Sequence, residues 1–404
     1  MNASLGSTVK DFGETRAGAA PVRSMPLLRI DPLLLLATLA LIACSVYVVG
    51  GATQDDIAGN PNYYLYRQAA YGGVGVVLML LLSRFDYSRL REWRFGVYGV
   101  MIGLILAVLA IGSAAKGSTR WIPLPFFNLQ PSELGKLLLV VALAAFMVER
   151  TRKLSDVETT CRILLLAIVP AMLVVIQPDL GSGLVYLAIA AAVLFVAGTK
   201  WTHFAVLGVL SVTAIAMVLV VGPAVGVQVL KPYQVDRLTA FLHPTADPRS
   251  QGYQLEQSIV GIGAGQKTGR GAAGATQTKL NFIPEHHTDF VFSVVGERFG
   301  FAGAALILAL YALLIWRALR ILTLAKNLYG ALVAGGITSM LMFQVFVNVG
   351  MTIGIMPITG IPLPLMSYGG SSVIVTFMAI GLLQSVHSQA KVSGAAKSRD
   401  LVAA

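Results

Sequence analysis

Charge is what this chain of 404 residues has least of: Asp, Glu, Lys and Arg make up 12%, where soluble globular proteins carry about 25%. So few charges exclude a water-soluble fold, because 56% of the residues are hydrophobic and the mean hydropathy is +0.75. Cysteine is nearly absent too. Cys44 and Cys161 lie in different apolar stretches without Cys-x-x-Cys spacing, which excludes a disulfide scaffold and a cysteine metal knuckle. The first ~25 residues are polar and mixed in charge, so no cleavable secretory signal is expected. No Gly-Lys-Ser/Thr accompanies the glycines between Gly261 and Gly271, which removes the phosphate-loop reading. No soluble domain, internal repeat or low-complexity tract interrupts the pattern.

What is present is a series of apolar runs near the ~20 residues that cross hydrocarbon. Their breakers place spans at 31–52, 66–83, 95–113, 131–149, 162–177, 181–199, 204–222, 290–316, 329–355 and 371–388. The expected fold is an all-α polytopic membrane protein of ten transmembrane helices, with a large extracytoplasmic loop between the seventh and eighth. Residues 1–30 form an N-terminal tail, 31–388 the membrane unit with the loop at 223–289, and 389–404 a C-terminal tail. The formal net charge of +11 comes from basic residues gathered in short connections: Arg84, Arg89, Arg91 and Arg94; Arg150, Arg152 and Lys153; Arg317, Arg320 and Lys326. That is the bias of loops retained on the cytoplasmic side, so the basicity reports orientation rather than nucleic acid, and both termini are cytoplasmic.

The polar residues then collect at the outer ends of the spans. Pro284-Glu285-His286-His287-Thr288-Asp289-Phe290 stands where the long loop meets an apolar run, and a carboxylate at that boundary is costly unless paired, hydrated or functional. Asp289 is therefore the first candidate for chemistry, against the plainer reading of a carboxylate stabilised by a helix N-terminus. Glu285, His286, His287 and Asp289 resemble a loose metal constellation, yet neighbours this close rarely supply three zinc ligands. A hard divalent cation, Mg or Mn, on Asp289 fits better.

Around it stand Arg120 and Trp121, Glu133 and Lys136, Asp179, Arg237, Gln257, Lys279, and Ser367 with Tyr368. Glu133 and Lys136 are three apart and share a helix face, so an ion pair holding the bundle competes with a role toward substrate. Trp121 is either an interfacial anchor or a sugar platform beside the Arg120 guanidinium. The run Ser367 to Ser372 reads as a close-packed re-entrant turn. Pro357, Pro362 and Pro364 argue for broken helices in the stretch from Gly350 to Gly370, where irregular backbone is tolerated only if protein covers it.

At these residues the chain resembles the SEDS family (shape, elongation, division and sporulation) of RodA, FtsW and SpoVE-type proteins, over residues from about 30 to 390. The resemblance rests on Arg120-Trp121, Gln130-Pro131-Ser132-Glu133 with Lys136, Gln177-Pro178-Asp179-Leu180-Gly181 and Pro232-Tyr233-Gln234 through Arg237. It continues through Asp247-Pro248, Gly252-Tyr253, Gln257-Ser258, Pro284 to Phe290, Asn348 to Met356 and Pro357 to Ser372. It implies a peptidoglycan glycosyltransferase that polymerises lipid II on the outer face of the bacterial cytoplasmic membrane. The implied partners are a class B penicillin-binding protein, acting as transpeptidase, and the nascent glycan strand.

Asp289 takes the place of the family's essential aspartate. Arg120, Trp121, Glu133, Lys136, Asp179, Arg237, Gln257, Ser258, Lys279, His287, Ser367 and Tyr368 are carried over as substrate-binding candidates. Asn348-Val349-Gly350-Met351 and Gly360 to Pro364 resemble the RodA, elongation branch more than the FtsW, division branch. Gly296-Glu297-Arg298 departs from the Gly-Glu-Glu of many relatives. A lipid II flippase of the same architecture is the alternative; charges strung through the midplane would favour it, and here they gather at the outer ends.

Overall fold

A computed structural model of the chain describes residues 30–57, 59–111, 113–115, 118–123, 128–153, 156–217, 251–280 and 282–403. Arg237 lies outside the described residues, as do Pro232 to Gln234, Asp247 and Pro248 and the expected N-terminal tail up to residue 29.

Ten apolar helices fall on the ten expected stretches: α1 (Pro32–Ala52), α2 (Tyr63–Arg84), α4 (Arg94–Ile111), α5 (Pro131–Val148), α6 (Val157–Ile176), α7 (Leu180–Val196), α8 (Trp201–Ala216), α12 (Val291–Leu324), α13 (Leu328–Thr352) and α14 (Gly370–Ala403). A four-residue turn, α3 (Arg89–Glu92), lies between α2 and α4, and three loop helices, α9 (Gln251–Gly265), α10 (Gly271–Gly274) and α11 (Thr276–Lys279), precede α12. Seven of the ten have the length and apolarity to cross a membrane, while the apolar parts of α4 (Arg94–Ala110), α7 (Leu180–Val196) and α8 (Trp201–Thr213) are shorter. Their ends are set by local chemistry. Asp31 caps α1, accepting from the Leu34 N–H at 3.0 Å with Pro32 at the first helical position; Asn327 caps α13 through the Gly330 N–H at 2.8 Å. Side-chain caps satisfy amides that have no partner inside the helix, and proline loses nothing there.

The interior is built on α5, α13 and α14, whose apolar faces are almost wholly buried. The last helix runs along α2, α1 packs on α12, and α13 lies against both α5 and α7. A three-stranded antiparallel sheet, β1 (Ser113–Ala115), β2 (Ser118–Pro123) and β3 (Asn128–Leu129), occupies the connection before α5 and carries Arg120 and Trp121 on its middle strand.

Two departures from the expected layout matter for function. The apolar run at 290–316 is not one uninterrupted span: α12 breaks at Gly300, whose φ of 63° lies in the left-handed region. The reason is an inserted backbone. The amides of Phe301 and Ala302, which the break releases, donate to the carbonyls of Gln266 (2.8 Å) and Lys267 (3.1 Å), and the Arg270 N–H donates to the Glu297 carbonyl at 2.9 Å. A Cβ at Gly265 would stand 1.9 Å from the Gly296 carbonyl oxygen, so the glycines of the loop serve a close approach between α9 and α12. The second departure is α14, which continues to Ala403, well past the expected end at 388.

The stretch between α13 and α14 is irregular and buried, as expected of the Pro-rich segment. Its carbonyls are nevertheless satisfied one by one. Asn348 donates to Ile361, Tyr311 to Pro364, Ser45 to Met366 and Gln68 to Ser367. Irregular backbone at membrane depth persists only with such partners.

Candidate active site

Asp289 sits in a compact chain of turns from Ile283 to Phe290, immediately before the first turn of α12. The turn is local: the amides of Thr288 and Phe290 both donate to the Glu285 carbonyl, at 3.2 and 3.1 Å. Phe290 is buried against Leu255, Ile283, Met351 and Ile358 and anchors its apolar end. Three contacts from distant sequence hold the polar end. Asn348 Nδ2 donates to the Asp289 carbonyl at 2.9 Å and to that of Ile361 at 2.8 Å. Ser367 Oγ donates to the Thr288 carbonyl at 2.6 Å while accepting from the Leu363 N–H, and the Tyr368 N–H donates to the His287 carbonyl at 2.8 Å. The backbone of the Asp289 turn is thus fixed from α13 and from the irregular segment after it.

An aromatic group lines the neighbouring surface. The His287 ring lies 4.9 Å from Tyr64 and 5.8 Å from Tyr368, and Tyr64 meets Tyr368 edge-on at 4.9 Å. Arg67 extends from α2 over Tyr63 at 4.8 Å and is hydrogen-bonded to Tyr368. Burial, with the nearby Tyr71, pushes the Tyr368 phenol far above its ordinary value despite Arg67, so Tyr368 remains a hydroxyl and is no candidate base.

A second polar group occupies the starts of α5 and α7. Asp179 caps α7 through the Ser182 N–H at 3.1 Å, and its other oxygen accepts from Ser132 Oγ at 3.0 Å and Gln130 Nε2 at 3.2 Å. One turn on, Lys136 Nζ lies 2.5 Å from Glu133 Oε1, with the two side chains only 1% and 4% exposed. The Arg120 guanidinium reaches the same corner and donates to the carbonyls of Gln177 and Pro178. Ser371 ties this group to the last helix, accepting from the Gln130 N–H and donating to the Asn128 carbonyl, both at 2.9 Å.

The expected residues therefore fall into distinct places. Asp289, His287, Ser367 and Tyr368 come together at the turn, and Arg120, Glu133, Lys136 and Asp179 at the second group. Ser258 is buried in the interior, 2.5 Å from Ser293 Oγ and donating to the Thr352 carbonyl; Gln257 is half-buried beside it in α9, and Lys279 is exposed at the end of α11. The departure at Glu297 and Arg298 also finds its place. The Glu297 carboxylate accepts from the amides of Gln277 and Thr278 and from Thr278 Oγ1 at 2.6 to 2.9 Å, holding α11 onto α12. Arg298 lies against Gly51 of α1.

Sequence reasoning missed Arg67, Tyr64 and, above all, Asp56. Asp56 follows α1, and its Oδ2 lies 3.4 Å from His286 Nε2 and 3.9 Å from His287 Nδ1. Asp56, His286 and His287 form a group of three metal-competent side chains with ligand atoms within 4.8 Å of one another, and Asp289 is not a member of it. Nothing in the sequence links Asp56, one of two adjacent acids in a short connection, to a turn more than two hundred residues later.

A bundle of apolar helices with a carboxylate turn clamped at one end defines a polytopic membrane protein. The chain belongs to the cell cycle protein family of FtsW, RodA and SpoVE, whose profile matches residues 28–392. It is 36% identical over 362 residues to the peptidoglycan glycosyltransferase MrdB of Escherichia coli (strain K12), covering 90% of this chain and 94% of that protein. It is likewise 36% identical over 366 residues to stage V sporulation protein E of Bacillus subtilis (strain 168), covering 90% and 97%. Among solved structures it matches a component of a peptidoglycan synthase complex described as coordinating polymerization and crosslinking, with a TM-score of 0.74 and 34% identity over 89% of this chain and 98% of the other.

Proposed function

We infer that the protein is a membrane-embedded peptidoglycan glycosyltransferase that polymerises lipid II into glycan strands, with Asp289 as the residue on which the transfer turns. The single observation that carries the assignment to Asp289 is the clamp on its backbone: Asn348, Ser367 and Tyr368 hold the turn from three directions. Chemistry requires a base near the acceptor sugar's 4-hydroxyl as it attacks the anomeric carbon of the donor. A carboxylate is weak toward a hydroxyl, so Asp289 accepts the proton as it becomes acidic in the transition state, at about 3 Å from the nucleophile. Attack opposite the leaving group inverts the anomeric centre. The departing lipid pyrophosphate needs cations rather than a strong acid; our candidates are Arg67, held to Tyr368 beside the turn, and the exposed Lys279, ahead of Lys136, which is buried in an ion pair with Glu133, and Arg120, which is held on the carbonyls of Gln177 and Pro178.

The partner is a class B penicillin-binding protein that cross-links the strands, in keeping with the crosslinking named for the solved complex. The Asp289 end of the bundle faces outward, because the basic connections after α2, α5 and α12 lie at the opposite helix ends and cytoplasmic loops retain such residues. Both termini are then cytoplasmic, and the segment 223–289 is extracytoplasmic. Service to cell-wall elongation is the branch we favour, on the motif at Asn348 to Met351.

The test is polymerisation of labelled lipid II by the purified protein with its transpeptidase partner, read as glycan strands on a gel. Asp289→Asn is expected to slow strand formation by about 10²–10⁴-fold, the usual contribution of a positioned base, with membrane expression and elution profile unchanged. A wild-type rate in Asp289→Asn would remove Asp289 from the reaction.

A further inference from the structure

Beyond the glycosyl-transfer carboxylate, we propose that Asp56, His286 and His287 bind one divalent transition-metal ion that staples the connection after α1 to the Asp289 turn. The tautomer of His286 is fixed by its surroundings. Its Nδ1 lies 2.9 Å from the Ile283 carbonyl oxygen. A carbonyl only accepts, so Nδ1 carries the hydrogen. In the neutral ring Nε2 is then a bare lone pair, and it is 2% exposed, has no hydrogen-bond donor, and faces the Asp56 carboxylate at 3.4 Å. A lone pair facing a carboxylate in a buried place is repulsive, and either a proton on Nε2 or a metal ion between the two groups relieves it. A metal ion meets that need, and the arrangement has the form of a metal-binding histidine, whose other ring N–H donates to a backbone carbonyl and so fixes the tautomer and ring orientation.

The remaining geometry agrees. His287 turns its Nδ1 toward the same Asp56 oxygen at 3.9 Å, the two imidazoles meet edge-on at 5.1 Å, and the three ligand atoms lie within 4.8 Å of one another. Adjacent histidines in an extended or helical stretch diverge, whereas the turn at 283–290 brings both rings to one carboxylate. Asp56 is only 13% exposed, so the ion would be largely shielded from water. Two imidazole nitrogens and one carboxylate oxygen suit zinc, cobalt or manganese; magnesium and calcium prefer oxygen sets. Three protein ligands leave at least one position for a molecule from outside. The metal is a positioning element: it ties the start of the bundle to the turn whose last polar residue is Asp289. That catalytic consequence rests on the glycosyltransferase reading, while the binding itself does not.

The experiment is metal binding without lipid substrate. The full chain, carrying no polyhistidine tag, is stripped with a chelator in lipid nanodiscs and titrated with Co²⁺, followed by its visible absorption and by elemental analysis after gel filtration. One Co²⁺ per chain is expected for the wild type and for Asp289→Asn, displaced by Zn²⁺. Asp56→Asn and His286→Leu are each expected to weaken binding more than about tenfold, since even losing a supporting partner of a ligand costs about 10–100-fold. Asp56, on a surface connection, is the variant that keeps the test valid if His286→Leu does not fold. The proposal is overturned if the wild type shows no saturable Co²⁺ binding, which leaves an imidazolium paired with Asp56. It is equally overturned if Asp56→Asn binds as tightly as the wild type, or if Asp289→Asn alone abolishes binding and so puts the ion on Asp289. Loss of polymerisation in Asp289→Asn with metal retained separates the fate of this proposal from that of the glycosyltransferase reading.

Discussion

Removing one member of the Glu133–Lys136 pair is expected to damage the protein far more than removing both. Glu133 Oε1 and Lys136 Nζ are 2.5 Å apart with side chains 4% and 1% exposed, and the Tyr186 hydroxyl closes the space beside them by donating to the Ser132 carbonyl at 3.1 Å. At that distance and an effective dielectric of about 20, the Coulomb attraction is roughly 6–7 kcal/mol. Burying the two charges costs several kcal/mol per ion, so the net worth of the pair is small. Lys136→Met, however, strands a carboxylate in the interior, and Glu133→Gln strands an ammonium; each is expected to cost about 3–5 kcal/mol. The double variant Glu133→Gln/Lys136→Met buries no net charge and is expected to lie close to the wild type. With each single change costing about 3–5 kcal/mol and the double change close to none, the interaction term of the cycle is about 6–10 kcal/mol in magnitude, above the roughly 0.5–3 kcal/mol usual for contacting residues. Thermal midpoints of the detergent-solubilised protein, read by loss of the monodisperse gel-filtration peak, measure it, and strand formation from lipid II should follow the same order. Additive losses, with the double variant the worst of the three, would refute the pairing and leave the residues as independent substrate contacts.

Asn348→Leu keeps the volume but removes the Asn348 donor from the Asp289 and Ile361 carbonyls, at about 1–3 kcal/mol each; kcat for polymerisation is expected to fall about tenfold or more while KM for lipid II holds, and an unchanged kcat would sink the clamp. At the opposite end of the bundle, burial pushes the Asp31 carboxyl up, but the Arg317 guanidinium, the Leu34 N–H and the charge of His387 outweigh it and hold it below its ordinary value. A carboxyl depressed in the folded state stabilises it above the unfolded value and stops doing so as pH falls through the folded one. The thermal midpoint should therefore drop on acidification from about pH 6 to about pH 3, and Asp31→Asn, which is uncharged throughout, should start lower and show less of that drop; equal slopes would place the acid sensitivity elsewhere.

Much of the fold was legible because lipid simplifies the code. A run of apolar residues must become a helix where water cannot satisfy the backbone, so the ten apolar helices among the described residues overlap the stretches that hydropathy and breakers mark, with the break in α12 and the long end of α14 as the departures. The break at Gly300 was not legible because neither a glycine nor the nearby Glu297 and Arg298 by itself ends a helix; its cause is the backbone of Gln266 and Lys267, which competes for the freed amides. Asp289 was legible as a charge in a costly place, and Glu133 with Lys136 as a spacing on one helix. The clamp from Asn348 and the meeting of Asp56 with His286 were not, since both join residues far apart in sequence through the packing of α1, α12 and α13. Ser367 carried two readings, a contact for substrate and a part of a close-packed turn, and its hydroxyl, bonded to the backbone of Leu363 and Thr288, has the contacts of the turn.

The splice between α9 and α12 has a mechanical consequence. Because the strand of chain from Gln266 to Arg270 exchanges main-chain hydrogen bonds with α12 on both sides of Gly300, the loop is mortised into that helix. A load applied to α9 is transmitted through main-chain bonds into the segment from Val291 to Phe299, whose first turn follows directly on Asp289. With the outward orientation and the role for Asp289 that we infer above, a protein that gripped this loop would hold a handle on the carboxylate without reaching into the site itself.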